Sequence, residues 1–284
     1  MENIYNETKF LMKKYGITAN KKLGQNFLID ENVLNKIVDS PNITKEDLVI
    51  EIGPGLGTLT AKLLEKAGKV ICIELDERMI TILKNRFTMY ENFEIINEDV
   101  LKVNLQNLIK ENKKQEKIKN VKIVANLPYY ITTPIIMKLL EEKLDIESIT
   151  VMIQKEVADR LTCIPGEKDA GAITYTVYYY AKASKILTVP NTSFIPEPEV
   201  SSEVIKLKIR KKPIIKVENE KQLFKLIKVA FMMRRKTIVN AVSNSELGIS
   251  KEKMEQILKN LNINTKVRGE ALTIEQYAEI IKHI

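Results

Sequence analysis

The 284 residues are 44% hydrophobic, and 45 basic against 37 acidic side chains leave a net charge of +8. That is enough for one large core and a small second one; no apolar run approaches the roughly 20 residues that span a bilayer, and the acids in the opening MENIYNETKF do not suit a signal peptide, so a soluble, cytoplasmic, two-domain protein is expected. The two cysteines, Cys72 and Cys163, lack the spacing of a zinc cluster or a disulfide frame, and the single histidine, His283, stands next to the C-terminal residue, which excludes His-dependent triads and an imidazole base; no metal is expected.

Residues 1–20 read as a weakly amphipathic lead-in. The following Lys21-Lys22-Leu23-Gly24-Gln25-Asn26-Phe27-Leu28 combines two bases, a glycine and two amides, and composition alone favours a solvated segment there over a ligand-facing loop. A helical pattern of Val33, Leu34, Ile37 and Val38 comes next. Residues 48–52 form an apolar strand broken only by Glu51, and run into Gly53-Pro54-Gly55-Leu56-Gly57-Thr58 and a helical stripe of Leu59, Leu63 and Leu64. Glycines between a strand and a helix let the backbone close on a ligand and aim the helix N-terminus at it. No lysine follows the last glycine, which excludes a Walker-type phosphate loop, and the GxGxG spacing weakens a dinucleotide reading.

A strand over residues 70–73 ends at Glu74, 21 positions after Gly53, where a carboxylate can hold a ribose diol. A helix with Met79, Ile82, Leu83 and Phe87 inward leads to a strand over residues 93–96 and to Asp99, which can accept from an adenine amine. Glycine turn, Glu74 and Asp99 at three successive strand ends point to a nucleoside pocket. Residues 110–120 are charged enough to read as a surface connection, and a buried parallel strand over 121–125 then delivers Asn126-Leu127-Pro128-Tyr129 to the fourth strand end. The Asn126 oxygen and the Leu127 carbonyl, fixed by Pro128, can together accept both hydrogens of an exocyclic amine while Tyr129 stacks on the base that carries it.

A helix through Ile135, Ile136, Leu139 and Leu140, a strand over 149–153 and a helix over 155–161 follow, and then a loop around Pro165-Gly166-Glu167. Residues 172–181 alternate Ile173, Tyr175, Val177 and Tyr179 as an edge strand would; residues 193–200 are held extended by Pro196 and Pro198; residues 204–209 give the last strand. From Pro213 the period becomes helical, which places a boundary between a domain over 1–212 and a small all-α domain over 213–284. That tail carries 13 bases against 8 acids, with Lys221, Lys225 and Lys228 on one helix face and Arg234, Arg235 and Lys236 at that helix's end. The asymmetry suits a polyanion partner, although bases at a helix C-terminus also offset its dipole. Ser250 reads as a helix cap, and Thr273 with Gln276 as a capping box.

These segments together resemble the ribosomal RNA adenine dimethyltransferases, specifically the kasugamycin-sensitivity group that dimethylates two adjacent adenosines near the 3′ end of small-subunit (16S) rRNA. The resemblance runs over residues 23–277 and rests on LGQNFL, EIGPGLGTLT, IELD, the Asp99 segment, NLPYY, MIQKEVADRL, PGEK, SFIPEPEV, FMMRRKTIVN and RGEALT in order. It implies an α/β fold with a Rossmann-like, S-adenosylmethionine-dependent methyltransferase sheet and a small C-terminal all-α domain. It places cofactor contacts at Asn26, Leu28, Gly53, Glu74, Asp99 and Asn126, with Gly55 in the same glycine turn, and it makes Asn126, Leu127, Pro128 and Tyr129 the amine-positioning motif with Phe194 as a second stacking ring opposite Tyr129. The bases Lys221, Lys225, Lys228, Arg234, Arg235 and Lys236 are then expected on RNA phosphates, and a monomer acting on the small ribosomal subunit is expected overall. The chain departs from the family pattern at Glu199 and Ser201, where a lysine and an aspartate are usual, and near Ala170, where a tyrosine is. Three other readings compete: a large-subunit adenine methyltransferase of the antibiotic-resistance type, whose motif commonly reads Asn-Ile-Pro; a non-catalytic assembly or transcription factor on the same fold; and a nicotinamide oxidoreductase, which gives residues 126–129 no role.

Overall fold

The computed structural model describes residues 4–20 and 24–284, so the expectations placed on residues 1–3 and on Lys21, Lys22 and Leu23 lie outside the described residues. In chain order, α1 (Ile4–Lys14), β1 (Phe27–Leu28) and α2 (Glu31–Asp39) come first. An alternating series follows: β2 (Asp47–Ile52), α3 (Thr58–Lys66), β3 (Lys69–Glu74), α4 (Glu77–Arg86), β4 (Phe93–Asn97), α5 (Leu105–Lys113), β5 (Asn120–Asn126), α6 (Thr132–Glu141), β6 (Ser148–Gln154) and α7 (Lys155–Thr162). Next are α8 (Ala172–Tyr180), β7 (Ala181–Val189), β8 (Phe194–Ile195) and β9 (Ser202–Ile209), and the chain closes on α9 (Glu220–Met232), α10 (Ile238–Ser243), α11 (Lys251–Asn260) and α12 (Ile274–Ile281).

Seven strands form one sheet in the order β4-β3-β2-β5-β6-β9-β7. The first five of these pair in parallel and β9 runs antiparallel to β6, while β1 and β8 make a separate two-stranded antiparallel pair. Helical crossovers cover both faces of a parallel sheet, which is why every residue of β2 is buried and why its sequence is a continuous apolar run apart from Asp47 and Glu51. Local signals set the helix starts: the Asp30 side chain accepts from the Asn32 and Val33 N–H groups, and Asp76 accepts from Arg78 N–H. Gly57 begins α3 at φ +83, a left-handed conformation in which a Cβ would also meet Leu83 Cδ2 and Phe87 Cε2 at 2.7 Å.

The chain divides into two compact units: the described residues up to Ala158 with Ser184–Ile209, and Asp159–Ala183 with Arg210–Ile284. The first has its core around Val49, Leu63, Val70, Leu83 and Val124. The second is built on Tyr175, Tyr179, Leu226, Ile257, Leu258 and Tyr277. The helical unit therefore takes in residues 159–183 as well as the tail expected from residue 213. Within it, Ser250 caps α11, and Thr273 and Gln276 form the reciprocal capping box of α12. No helix of the described residues is long and apolar enough to cross a membrane.

One local expectation is corrected. Residues 172–180 are helix α8 rather than an edge strand: Tyr175 and Tyr179, four apart, share one helical face and pack edge-on against Tyr277 and Phe224, a burial that outweighs the β-propensity of a Tyr/Thr/Val-rich segment. The lead-in contains α1, which buries Ile4, Thr8 and Leu11. The charged connection begins within α5, whose inward Leu105 and Ile109 precede both of its lysines, Lys110 and Lys113.

Replacing Gly57 by alanine adds both left-handed strain and overpacking against Leu83 and Phe87. Gly57→Ala is expected to lower stability by about 2–4 kcal/mol, read as a lower denaturation midpoint for the sheet unit.

Candidate active site

The sheet is extended from β2 in two directions, through β3 on one side and β5 on the other, and such a reversal of strand order leaves a crevice outside the carboxyl ends of the strands. The β2–β5 register pairs Glu51 with Val124, which brings the residues that follow, Gly53 and Asn126, to the same level at the two strand ends. One cavity opens there. Its lining includes Asn26, Leu28, Gly53, Gly55, Glu74, Asp99 and Asn126, every position assigned to the cofactor, together with Leu127, Pro128 and Tyr129.

Phe194 is not in that lining. It is 2% exposed, within the hydrophobic core of the sheet unit, because β8 pairs with β1 in the register Phe194↔Leu28 and turns this ring inward; the expectation of a ring facing Tyr129 across the cavity is corrected accordingly. The cavity instead presents Tyr130, a residue that the sequence pattern alone does not single out.

At the strand β5 corner, the Asn126 side-chain nitrogen donates to the Asn26 carbonyl at 3.2 Å. A carbonyl partner fixes the amide's orientation, so the Asn126 oxygen is the end left for a ligand. The Leu127 N–H donates to Met152 O at 3.1 Å, and the Leu127 carbonyl accepts no hydrogen bond among the described residues. The Pro128 carbonyl, by contrast, is occupied by Ile131 N–H and the Thr132 hydroxyl, which start α6. Tyr129 is held through its hydroxyl, 2.7 Å from Ser202 Oγ on β9, and burial pushes its phenol above the usual range although the Ser202 bond opposes the shift.

The other wall is acidic. Glu74, at the end of β3, is 8% exposed; one carboxylate oxygen accepts from the Leu75 and Asp76 N–H groups at 2.8 and 2.9 Å, the other from Gly55 N–H at 3.2 Å. Burial raises its pKa, against those three donors. Asp99 accepts from Leu101 N–H at 2.9 Å, which shapes the turn after β4. Gly53 and Gly55 take φ values of +68 and +57, so the backbone lies against the cavity with no side chain in the way. Glu51, in the middle of β2, also lines the cavity at 1% exposed; its Oε2 accepts from the Thr60 hydroxyl at 2.7 Å and lies 3.4 Å from Cys72 Sγ. Burial pushes the Glu51 carboxyl up to about 7. A single Glu within an apolar central strand is the sequence signal for this group.

Glu51, Glu74, Glu98 and Asp99 line the cavity and no described lysine or arginine does. Such a wall repels a pyrophosphate and suits a ligand rich in N–H and O–H donors and positive charge. The residues therefore fit a nucleoside that bears a cationic tail, and they do not fit a nicotinamide dinucleotide.

A profile of the ribosomal RNA adenine dimethylase family matches residues 16–284. The chain belongs to the ribosomal RNA adenine dimethylase family. Among relatives of this dimethylase, the ribosomal RNA small subunit methyltransferase A of Alkaliphilus metalliredigens is 50% identical over 98% of this chain and 96% of its own. That of Bacillus cytotoxicus is 47% identical over 96% of this chain and 94% of its own. Among solved structures, a dimethyladenosine transferase from Plasmodium falciparum superposes with a TM-score of 0.73 at 27% identity, covering 90% of this chain and 96% of that one. The chain thus shares the fold of that transferase.

The six bases assigned to RNA all lie in the helical unit and are exposed. Arg234 is committed elsewhere: its guanidinium pairs with Glu270 and donates to the Lys168 carbonyl at 2.7 Å. Lys225 lies 3.4 Å from Glu246. Lys221, Lys228, Arg235 and Lys236 make no ion pair among the described residues.

The Glu51 carboxyl makes stability depend on pH. With its folded pKa near 7 and an ordinary value of 4.5 when unfolded, the native state binds the extra proton between those limits, so the contribution of Glu51 to stability is largest below about pH 4.5 and is lost as pH rises to about 7. The drop in the ligand-free protein is expected to be about 3 kcal/mol. Glu51→Gln should flatten it, as measured by denaturant unfolding at pH 5 and pH 8.

Proposed function

We propose that the protein transfers methyl groups from S-adenosylmethionine to the N6 amines of two adjacent adenosines near the 3′ end of 16S rRNA, acting as a cytoplasmic monomer on the small ribosomal subunit. The observation that carries this reading is the corner at the end of β5, where the Asn126 oxygen and the Leu127 carbonyl are both left without a protein partner beside an acid-lined cavity free of described cations. The relatives' names assign them the small ribosomal subunit, and the cofactor agrees with the cavity's donor preference.

When bound, S-adenosylmethionine supplies a methyl group already activated by the sulfonium charge. In this reading Glu74 takes a ribose diol and Asp99 an adenine amine, while Gly53 and Gly55 let the backbone approach and Asn26 and Leu28 contribute to the same lining. What remains for the protein is placement of the nucleophile. An adenine amine is a poor nucleophile because its lone pair is delocalised into the ring. Asn126 Oδ1 and Leu127 O accept its two hydrogens and draw them out of the ring plane, which restores lone-pair character to the nitrogen. Tyr129, pinned through Ser202, offers a ring of fixed orientation to the base, which has to be unstacked or flipped to reach it. Lys221, Lys228, Arg235 and Lys236 supply phosphate contacts, with Arg234 and Lys225 bracing the same surface through their acidic partners.

Removing one preorganised acceptor should be costly. Asn126→Ala is expected to slow methyl transfer to unmodified small subunits about 100- to 1,000-fold at saturating cofactor in a single-turnover assay; turnover at the wild-type rate would refute the mechanism. Reversing two unpaired charges tests the RNA surface separately. The pair Arg235→Glu and Lys236→Glu should weaken rRNA association and reduce its dependence on salt by about one unit of slope for each phosphate no longer neutralised, while calorimetric cofactor affinity stays at the wild-type value.

A further inference from the structure

We propose that Tyr130 is the platform on which the base adjacent to the target adenine stacks, an inference that rests on the methyl-transfer reading and adds a second base-binding position to it. Tyr129 and Tyr130 are consecutive in a 3₁₀ turn, Tyr129–Ile131, where successive side chains diverge by about a third of a revolution, so the two rings cannot both lie on one base. Tyr129 points inward, to Ser202 Oγ. Tyr130 goes to the rim: it lines the same cavity and is 57% exposed.

Gly24, at φ +62, lies beside its ring, so closely that a Cβ there would lie 3.4 Å from Tyr130 Cδ1 and 3.4 Å from Pro128 Cβ. With more than half of the residue exposed, Tyr130 is accessible to a base at the rim of the cavity. Phe27, the remaining aromatic side chain of the lining, cannot serve, since it is 8% exposed. Extruding one adenine from a strand strips its neighbour of a stacking partner, and an aromatic ring at the rim restores that contact; such stacking tolerates any base and acts on substrate affinity rather than on the reacting atoms.

The test measures initial rates of labelled methyl transfer to unmodified small subunits for the wild type, Tyr130→Ala, Tyr130→Phe and Tyr130→Trp, with kcat, KM for the subunit and cofactor Kd determined separately. Tyr130→Ala should raise KM roughly 5- to 150-fold with kcat and cofactor Kd close to wild type, and the Phe and Trp variants, which keep a ring, should restore KM. A wild-type KM for Tyr130→Ala overturns the proposal. So does a Phe variant no better than Ala, which would assign the effect to the hydroxyl, or a parallel loss of cofactor affinity, which would assign it to the packing of Gly24. Failure of the wild type itself to methylate small subunits would instead overturn the reading on which this one stands.

Discussion

The reversal of strand order at β2 is the constraint from which the site follows. Because crossovers leave β2 and β5 in opposite directions, no helix covers the space between their carboxyl ends, and the polar groups there must be satisfied by a ligand, by water or by local turns. Gly53, Gly55 and Asn126 stand at that point, and Glu74 and Asp99 follow at the ends of the next two strands outward, so a single topological feature gathers residues from four segments of chain into one cavity.

The electrostatics of the cavity carry a cost that a purely structural pocket would avoid. Burying the Glu51 and Glu74 carboxyls raises the pKa of both, and the charge on Glu74 adds to the rise at Glu51 in the ligand-free protein. Three backbone N–H groups hold Glu74, whereas Glu51 has a hydroxyl and a thiol on one oxygen only. A cationic ligand relieves both, and acids kept in this state mark a functional site more readily than a packing need. The acids also set this site apart from the phosphate-binding members of the α/β class, which present backbone N–H groups and cations where this cavity presents carboxylates.

Much of this was legible in the sequence, and the failures have physical causes. The parallel strands read cleanly because burial on both faces makes them continuous apolar runs, and the strand-end residues Glu74, Asp99 and Asn126 stood out as the polar punctuation of those runs. Residues 172–180 misled because an alternating Tyr/Thr/Val pattern satisfies a strand's period, while Tyr175 and Tyr179 also fall one helical turn apart; which period wins depends on the aromatic partners Phe224, Phe231 and Tyr277, far away in sequence. Phe194 is a similar case, since nothing local reveals that residues 194–195 pair with residues 27–28. Tyr130 was hidden by its neighbour: the difference between the two tyrosines is made by a 3₁₀ turn and by Ser202 on a later strand.

On the proposed mechanism, the corner at Asn126 faces a different task in each of two rounds on the same adenine. In the first, the amine offers two hydrogens to two acceptors, Asn126 Oδ1 and Leu127 O, and the match is complete. In the second, one hydrogen has been replaced by a methyl, so only one acceptor can be satisfied and the other must tolerate an apolar group at close range. Hydrogen bonding alone then holds the nucleophile less firmly, and a larger share of its placement falls to the ring contact with Tyr129, which does not depend on the number of N–H groups left. That is a reason for the corner to combine amide, carbonyl and a ring whose hydroxyl is tied down at Ser202. It also explains why no imidazole or lysine is needed beside them: an aryl ammonium formed by attack on a methyl is acidic enough to release its proton to water, and the acceptors need only orient the nitrogen, not deprotonate it.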